Sequence, residues 1–328
     1  MNKILIIQTS FLGDVILATS IIESLKSAFA NAEIHMLVRK GNEGLIHSNP
    51  QLKKVWIWDK KEGKYSSLFK LGKAIRNENF DLVVNPHRFA SSGLITLMSG
   101  AKTKVGFKKN PLSFTYIKSF DHQFDGQHEI ERNHQLIAEI VGSKSPEKPK
   151  IYPTEEDREA IAKFVKESFV CMAPTSVWFT KQWPAERWIE LTNKVDPSQA
   201  IYLLGAPADA AICESIKVKS SHQKITVLAG KLSLMQSAAL MQKAKMNYVN
   251  DSGPMHLASA TNAPVSAIFC STVPSFGFGP LSDQSRILEL SEKLDCRPCG
   301  IHGHKVCPEG HFKCGNLLTA EQVYHTES

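Results

Sequence analysis

Four residues, Asp251, Ser252, Gly253 and His256, lie where a short apolar strand is predicted to run into a helix. An Asp-Ser-Gly turn at such a junction exposes several backbone N–H groups and a hydroxyl, and the helix dipole favours an anion there. Pro254 suits the first helical turn, where its missing N–H costs little. The pattern predicts a phosphate-binding turn, and an ordinary capped helix start is the alternative.

A second strand-to-helix loop, in the same half of the chain, carries Thr175, Ser176 and Lys181. Its hydroxyls can donate hydrogen bonds to a diphosphate, and its ammonium group can neutralise the charge. The alternative for Lys181 is a solvated loop lysine. Two anion-binding loops are therefore predicted in one half of the chain.

The elements that position these loops alternate regularly, since strand-like apolar runs and helix-length segments follow one another along the whole chain. This alternation is typical of parallel α/β sheets, which bind ligands at the carboxyl ends of their strands. The predicted strands span residues 3–8, 33–38, 55–58, 81–85, 104–107, 168–172, 200–205, 224–228, 246–249 and 265–269. The predicted helices include residues 13–30, 65–77, 91–99, 129–141, 185–195, 207–217 and 234–244.

Residues 142–150 are polar and rich in proline, and we predict that they link two domains, residues 1–145 and 151–328. The predicted fold class is α/β, with two similar domains facing each other across a cleft. Neither half has a G-x-G-x-x-G fingerprint, and the first strand-to-helix turn, residues 8–14, holds one glycine. This absence disfavours a nicotinamide-dependent oxidoreductase.

Size and charge limit the class of protein and its partners. The chain has 328 residues, 42% of them hydrophobic, which suffices for buried cores. No apolar run approaches the ~18 residues of a membrane helix, and the first residues do not resemble a signal peptide, so a cytoplasmic location is expected. The net charge of +7 suits acidic partners such as a nucleotide, a phosphorylated glycolipid or an anionic membrane face. No nucleic-acid motif is present, so no nucleic-acid partner is expected.

The seven cysteines fall into two groups. Three lie in apolar segments and are expected in the core. The four near the end of the sequence are Cys296, Cys299, Cys307 and Cys314. Their single C-x-x-C pair, followed by gaps of seven and six residues, departs from the usual zinc pattern. A structural zinc site, reduced packing cysteines and disulfides are the three interpretations, and a cytoplasmic location counts against disulfides.

Three segments together resemble one protein family. They are "ILIIQTSFLGDVILATSIIESL" near the start, "TKQWP" in the second half, and "NDSGPMHLASATNAPVSAIF" after it. In these segments and their order the chain is similar to the ADP-heptose:lipopolysaccharide heptosyltransferases of glycosyltransferase family 9, from Lys3 to about Pro280. The resemblance implies an inverting, sugar-nucleotide-dependent enzyme with two Rossmann-like domains, the GT-B architecture. It also implies an ADP-sugar donor and a lipopolysaccharide core acceptor.

The resemblance assigns the reactive groups. Asp14 would be the general base that deprotonates the acceptor hydroxyl, and the alternative is that it only complements the N-terminus of the first helix. Lys181, helped by Thr175 and Ser176, would neutralise the departing diphosphate. No D-x-D motif or paired-carboxylate cluster suited to Mg²⁺ is present, so no cofactor is expected for catalysis.

The remaining donor contacts would come from the turn described first: Asp251, Ser252, Gly253 and His256. Backbone amides of Ser252 and Gly253 would face phosphate. Asp251 is expected to contact a sugar hydroxyl of the donor, because a carboxylate would repel the diphosphate. A core histidine is the alternative for His256.

The first half would bind the acceptor. His87 and Arg88 follow a predicted strand and are the expected acceptor contacts, with Arg88 suited to a carboxylate or phosphate. A basic stretch that could also meet acidic sugars or phosphates of the acceptor comprises Lys102, Lys104, Lys108 and Lys109. The alternative for these lysines is a solvated loop. Since the acceptor is lipid-anchored, peripheral contact with the inner face of the cytoplasmic membrane is expected.

Departures from the family pattern leave the donor sugar open. Bulky residues Val177, Trp178 and Phe179 lie in the donor loop, and residues 269–272 replace a more usual glycine-bearing turn. One alternative is an inverting GT-B glycosyltransferase that uses another nucleotide sugar. A non-catalytic sugar-nucleotide-binding protein of the same fold is the other.

Overall fold

The computed structural model describes residues 1–61, 63–142 and 145–324, and the chain divides into two compact units, Met1–Tyr152 and Pro153–Ser328. Ser143 and Lys144 of the predicted linker, and residues 325–328 of the predicted second domain, lie outside the described residues. The later part of the linker lies against the first unit. The backbone N–H of Lys150 donates to Thr19 Oγ1 at 2.9 Å.

The first unit is built on six strands and five helices among its described residues. Its strands are β1 (Lys3–Ile7), β2 (Glu33–Arg39), β3 (Leu52–Trp58), β4 (Leu82–Asn85), β5 (Thr103–Phe107) and β6 (Lys118–Phe120). Its helices are α1 (Leu12–Ala28), α2 (Lys64–Arg76), α3 (Ala90–Met98), α4 (Glu129–Gln135) and α5 (Ala138–Val141).

The second unit repeats this plan with six strands and seven helices in its described part. Its strands are β7 (Phe169–Ala173), β8 (Ala200–Leu203), β9 (Ile225–Val227), β10 (Asn247–Asn250), β11 (Val265–Phe269) and β12 (Ser285–Glu289). Its helices are α6 (Glu155–Ile161), α7 (Ala185–Thr192), α8 (Ala210–Lys219), α9 (Leu234–Lys243), α10 (Gly253–Ala260), α11 (Lys313–Asn316) and α12 (Ala320–Val323).

The two sheets share one topology. The first has the order β3-β2-β1-β4-β5-β6 and the second β12-β11-β10-β7-β8-β9, and every strand pair is parallel. When the strands of each unit are numbered one to six along the chain, the first sheet has the order 3-2-1-4-5-6. The second sheet has the same order when it is read from the edge formed by β9. This is the doubly wound Rossmann order. The predicted α/β class with two Rossmann-like domains is confirmed.

Burial explains which strands were predictable. Four of the five residues of β1 and all five of β11 are buried, so both appear in the sequence as mainly apolar runs. The edge strands β6 and β12 were missed because none of their residues is fully buried. The predicted helix 129–141 is two helices, because Ile137 leaves helical geometry with φ at −123°.

The last described segment completes the core of the second unit. Trp183 and Trp188 meet edge to face with ring centroids 5.3 Å apart, and both are fully buried. Phe312 and Leu318 belong to the same apolar cluster. The Trp183 indole N–H donates to Leu318 O at 3.0 Å, so the segment around Leu318 packs over the tryptophan pair.

The cysteine-bearing segment is also hydrogen-bonded to the loops that follow β7 and β11. The His304 backbone N–H donates to Thr180 Oγ1 at 2.7 Å, and the Thr180 N–H donates to His304 O at 3.1 Å. Ser271 Oγ lies 3.0 Å from Thr180 Oγ1, and the Cys299 N–H donates to Ser271 O at 2.9 Å. Residues 299–304 therefore fix the loop that carries Lys181.

Arg297 ties the same segment to the end of β11. Its guanidinium donates to Cys270 O at 2.7 Å and to Thr272 O at 2.8 Å, and it pairs with Glu289 at 2.6 Å. A guanidinium has five N–H donors in a rigid plane, so one side chain can bind several backbone carbonyls. Arg297 thus defines the path of residues 270–272.

Replacing Gly303 with alanine should test the close packing of residues 299–304 against Thr180. Its φ is +72°, and an added Cβ would lie 2.8 Å from Thr180 Oγ1. Gly300 is the matched control, because its φ is +76° but nothing lies within 4 Å of an added Cβ. Gly300→Ala should cost about 1–2 kcal/mol of unfolding free energy from the left-handed backbone alone. Gly303→Ala should cost at least about 1 kcal/mol more from the steric conflict. Equal losses in urea titrations would mean that the 303–180 contact is not tight.

Candidate active site

Strand order brings the candidate residues of each unit to neighbouring strand ends. In the first unit Asp14 follows β1, and Arg88 follows β4, the strand that pairs with β1. In the second unit Lys181 follows β7, and Asp251 follows β10, which pairs with β7. Both places are where the strand order reverses, and open α/β sheets bind ligands there.

Asp14 is the third residue of α1, and its carboxylate turns back toward the preceding loop. Ser10 Oγ donates to Asp14 Oδ2 at 2.7 Å, and the Phe11 backbone N–H donates to the same oxygen at 3.2 Å. The contact with Phe11 is the helix-capping role that one interpretation of the sequence assigned to Asp14.

The acid–base property of Asp14 is also altered. Burial raises the pKa of Asp14, and the hydrogen bond from Ser10 opposes this increase. Among charged neighbours, Glu129 raises the pKa further and Arg88 lowers it. A carboxylate with a raised pKa accepts a proton more readily at neutral pH. Asp14 therefore combines the capping contact with the property that a general base needs.

His87 is buried and held from two sides. Asn85 Oδ1 accepts a hydrogen bond from the His87 backbone N–H at 3.1 Å, and His87 Nδ1 lies 3.0 Å from Thr9 Oγ1. Burial lowers the pKa of His87 to about 4, and Lys60 and Arg88 lower it as well. The ring is therefore neutral at pH 7, so it can offer an acceptor a hydrogen bond but no charge.

Arg88 is half-buried beside His87, and its Nη1 lies 2.7 Å from His122 Nδ1. Sequence reasoning missed His122, a histidine between β6 and α4 that belongs to no recognisable motif. Of the predicted basic stretch, Lys104 donates to Ala101 O at 2.9 Å and Lys108 pairs with Asp121 at 2.6 Å. The ammonium groups of both lysines are therefore engaged by partners within the first unit.

In the second unit, the two charged candidates contact each other. Lys181 Nζ lies 2.7 Å from Asp251 Oδ2, and the side chains are 15% and 6% exposed. Thr272 Oγ1 donates to the same carboxylate oxygen at 2.7 Å. Lys181 is therefore a partnered, largely buried cation, unlike the solvated loop lysine that was its alternative.

Asn250 connects the two loops of this site. Its side-chain oxygen accepts a hydrogen bond from the Trp183 backbone N–H at 3.0 Å, and its amide donates to Ala173 O at 3.4 Å. The end of β10 is thereby joined to the end of β7 and to the loop after Lys181. Asn250 lies within the quoted family segment, but no role for it follows from residue type alone.

The turn after β10 has the predicted helix start. Ser252 is the N-cap of α10, Gly253 is its first residue, and Pro254 lies within the first turn. His256 is buried one turn into the helix. The backbone groups at this N-terminus therefore lie directly beyond Asp251, as an anion-binding turn requires.

Thr175 and Ser176 follow β7 closely and are half-buried. Ser176 O accepts a hydrogen bond from Gln182 Nε2 at 2.7 Å, which closes the loop around Lys181. The structure therefore brings both hydroxyl residues into the loop that carries the lysine. Their part in diphosphate binding stays a prediction.

The four late cysteines are free thiols, with Cys314 buried and Cys296, Cys299 and Cys307 half-buried. Burial, with a smaller contribution from Cys299, raises the pKa of Cys314 to about 11. The disulfide interpretation receives no support from this arrangement. Within residues 1–61, 63–142 and 145–324, no three His, Cys, Asp or Glu side chains are arranged to hold a metal ion. The structural zinc site stays a prediction.

Comparison with known proteins identifies the family. The model of glycosyltransferase family 9 (heptosyltransferase) matches residues 68–311. Lipopolysaccharide heptosyltransferase 3 of Escherichia coli (strain K12) is 28% identical over 279 residues, which cover 79% of this chain and 80% of that protein.

Two solved proteins share the fold. A family 9 glycosyl transferase from Veillonella parvula DSM 2008 has a TM-score of 0.87 at 22% identity, covering 98% of this chain and 95% of its own. The E. coli heptosyltransferase WaaC, solved with ADP, has a TM-score of 0.76 at 19% identity, covering 98% and 97%. It was also solved with ADP-2-deoxy-2-fluoro heptose, with a TM-score of 0.73. Because the family model spans well over half of the chain, the protein belongs to glycosyltransferase family 9 and is a glycosyltransferase.

Proposed function

We propose that the protein transfers heptose from ADP-heptose to the inner core of lipopolysaccharide, with inversion at the anomeric carbon. The observation that carries this proposal is the buried Lys181–Asp251 pair beside the N-terminus of α10, at the reversal point of the second sheet. A similar protein, E. coli WaaC, was solved with ADP and with a fluorinated ADP-heptose. The curated relative is named for heptose transfer to lipopolysaccharide.

The second unit would bind the donor. The Lys181 ammonium meets negative charge on the diphosphate, and backbone N–H groups of Ser252 and Gly253 face phosphate oxygens. Asp251 meets a sugar hydroxyl. Lys181 screens the phosphates from the Asp251 carboxylate, because the lysine is in direct contact with it.

The first unit would bind the acceptor and start the reaction. Asp14 takes the proton of the acceptor hydroxyl, and the hydroxyl oxygen attacks the anomeric carbon of the donor. The bond from that carbon to the diphosphate breaks as the new bond forms, so ADP leaves with the electron pair and Lys181 stabilises its charge. A single displacement with one base inverts the configuration. His87 and Arg88 orient the acceptor.

No metal ion has a role in this scheme, and the leaving group is neutralised by a lysine and by backbone dipoles. The acceptor is proposed to be reached at the inner face of the cytoplasmic membrane by peripheral contact. None of the helices in the described ranges is long and apolar enough to cross a membrane. The net charge of +7 would add weak, salt-sensitive attraction to anionic lipid.

A donor panel tests the proposed reaction. Purified protein is mixed with heptose-deficient lipopolysaccharide core and, separately, ADP-heptose, other ADP-sugars, UDP-sugars and GDP-sugars. Mass spectrometry should detect a heptose added to the core and ADP released, at a rate unchanged by a chelator. Turnover of a UDP- or GDP-sugar alone would make the ADP-heptose assignment wrong, and binding without turnover of any donor would favour a non-catalytic role.

Replacing Asp14 with asparagine should lower kcat by about 100-fold or more, the scale expected for loss of a general base. The base must be unprotonated, so the wild-type rate should fall as the pH drops through the raised pKa of Asp14, above the ordinary aspartate range. Ser10→Ala removes a hydrogen bond that lowers the pKa of Asp14. In this variant the fall in rate on the acid side of the pH–rate profile should therefore move to higher pH. Rate measurements across pH decide both points.

Asp157→Asn is the matched control for helix capping, since Asp157 is the third residue of α6 and accepts from the Thr154 backbone N–H at 2.9 Å. Asp157→Asn loses a carboxylate at a helix N-terminus, which should cost about 0.3–1 kcal/mol of stability. Asp14→Asn should cost no more than this, because burial already disfavours the charge on Asp14. Only Asp14→Asn should lose turnover. Normal kcat in Asp14→Asn would leave Asp14 a capping residue.

A further inference from the structure

A row of buried polar and charged groups extends from Arg88 into the interior of the first unit. It contains His122, which follows β6, and Glu129 and Arg132 on α4. These three residues are 2%, 5% and 1% exposed. Buried charges are costly unless they are paired and hydrogen-bonded, so the row has to be internally satisfied.

The distances define how the row is connected. Arg88 Nη1 lies 2.7 Å from His122 Nδ1, and His122 Nε2 lies 3.0 Å from Glu129 Oε2. Arg132 Nε donates to the same carboxylate oxygen at 2.8 Å. A guanidinium only donates, so Nδ1 of His122 must accept from Arg88. In the neutral ring the proton is then on Nε2, which donates to Glu129.

The surroundings keep His122 in this orientation. The Phe107 ring meets the imidazole edge to face, with centroids 4.8 Å apart at 89°, and Phe124 does so at 5.2 Å and 76°. The Arg132 guanidinium lies over the Phe124 ring, 5.1 Å from its centroid. Rotation of the imidazole would break a hydrogen bond at each nitrogen and the aromatic contacts on both sides.

The charge on Glu129 is retained. Burial alone would raise the pKa of Glu129, but His122 and Arg132 outweigh this effect and the net pKa is lowered. Glu129 therefore stays ionised and anchors the inner end of the row. Arg88 is at the outer end, half-buried and close enough to Asp14 to lower its pKa.

We infer that His122 and Glu129 are positioning residues that hold the Arg88 guanidinium at the end of β4 to bind an anionic group of the acceptor. The inference rests on the proposed function, because it takes the first unit as the acceptor side. A long arginine side chain loses rotamer freedom on binding. Holding Arg88 in place beforehand therefore strengthens acceptor binding without adding a contact to the acceptor.

The test measures binding of deacylated, heptose-deficient lipopolysaccharide core by calorimetry without any donor. His122→Phe removes both ring-nitrogen contacts and should raise the Kd about tenfold, the scale of one charged hydrogen bond. His122→Asn retains an oxygen near the position of Nδ1 that can accept from Arg88, so its Kd should lie between wild type and His122→Phe. ADP affinity should be unchanged in both variants.

A double-mutant cycle shows whether His122 acts through Arg88. Arg88→Ala should raise the Kd for the core at least as much as His122→Phe, and the double variant should bind no more weakly than Arg88→Ala. If the double variant instead bound more weakly than Arg88→Ala by the full factor lost in His122→Phe, the two residues would act independently and the inference would be overturned. An unchanged Kd in His122→Phe would also overturn it. Failure of the wild-type protein to bind the core would also overturn it.

His35 provides the control for a purely structural loss. It is another buried histidine of the first unit, on β2, and its Nδ1 accepts from the Trp56 indole N–H at 3.2 Å. His35→Phe should lower the unfolding temperature but leave the Kd for the core unchanged. If His35→Phe raised the Kd as much as His122→Phe, the effect of His122 on core binding would be explained by general destabilisation of the first unit. This binding assay contains no donor, so its result does not depend on the donor panel. If the donor panel showed no turnover but the core still bound in an Arg88-dependent way, only the proposed reaction would be contradicted.

Discussion

The buried contact between Lys181 and Asp251 is the interaction on which the proposed donor site of the second unit depends. Removing two charges from water is expensive, and the cost is offset only when geometry and extra hydrogen bonds are good. Here Thr272 donates to the same carboxylate, and Arg297 holds the backbone of Thr272. An ammonium group has three N–H donors, so Lys181 can stay on Asp251 while it meets a phosphate oxygen.

The first unit follows the same physical rule with different residues. Arg88 is partnered by His122, and Asp14 is held by Ser10 at the neighbouring strand end. In both units a potentially reactive charge is held by a hydrogen-bonding partner from the protein itself. Groups fixed in this way need little reorganisation when charge develops in a reaction, which is the basis of electrostatic catalysis. The doubly wound order supplies the geometry, because adjacent strands end side by side where the order reverses.

The fold is predictable from the sequence where strands are buried along their whole length. The site is predictable where its residues lie close together along the chain. Strands such as β1 and β11 are buried almost throughout and mainly apolar, and Asp251 to His256 form one local turn. Contacts between distant segments have no local signal. His122 lies 34 residues from Arg88, and His304 lies 124 residues from Thr180. Such partners become visible only when the sheet order is known.

The central claim is that Lys181 binds the diphosphate of the donor, and calorimetric titration of ADP tests it most directly. Lys181→Ala should weaken ADP binding at least about tenfold, because it removes a cation and leaves Asp251 as a buried, uncompensated negative charge. AMP, which lacks the second phosphate, should lose less affinity. Lys181→Ala combined with Asp251→Asn should recover part of the loss, since the repulsive carboxylate is gone. Unchanged ADP affinity in Lys181→Ala would contradict the account.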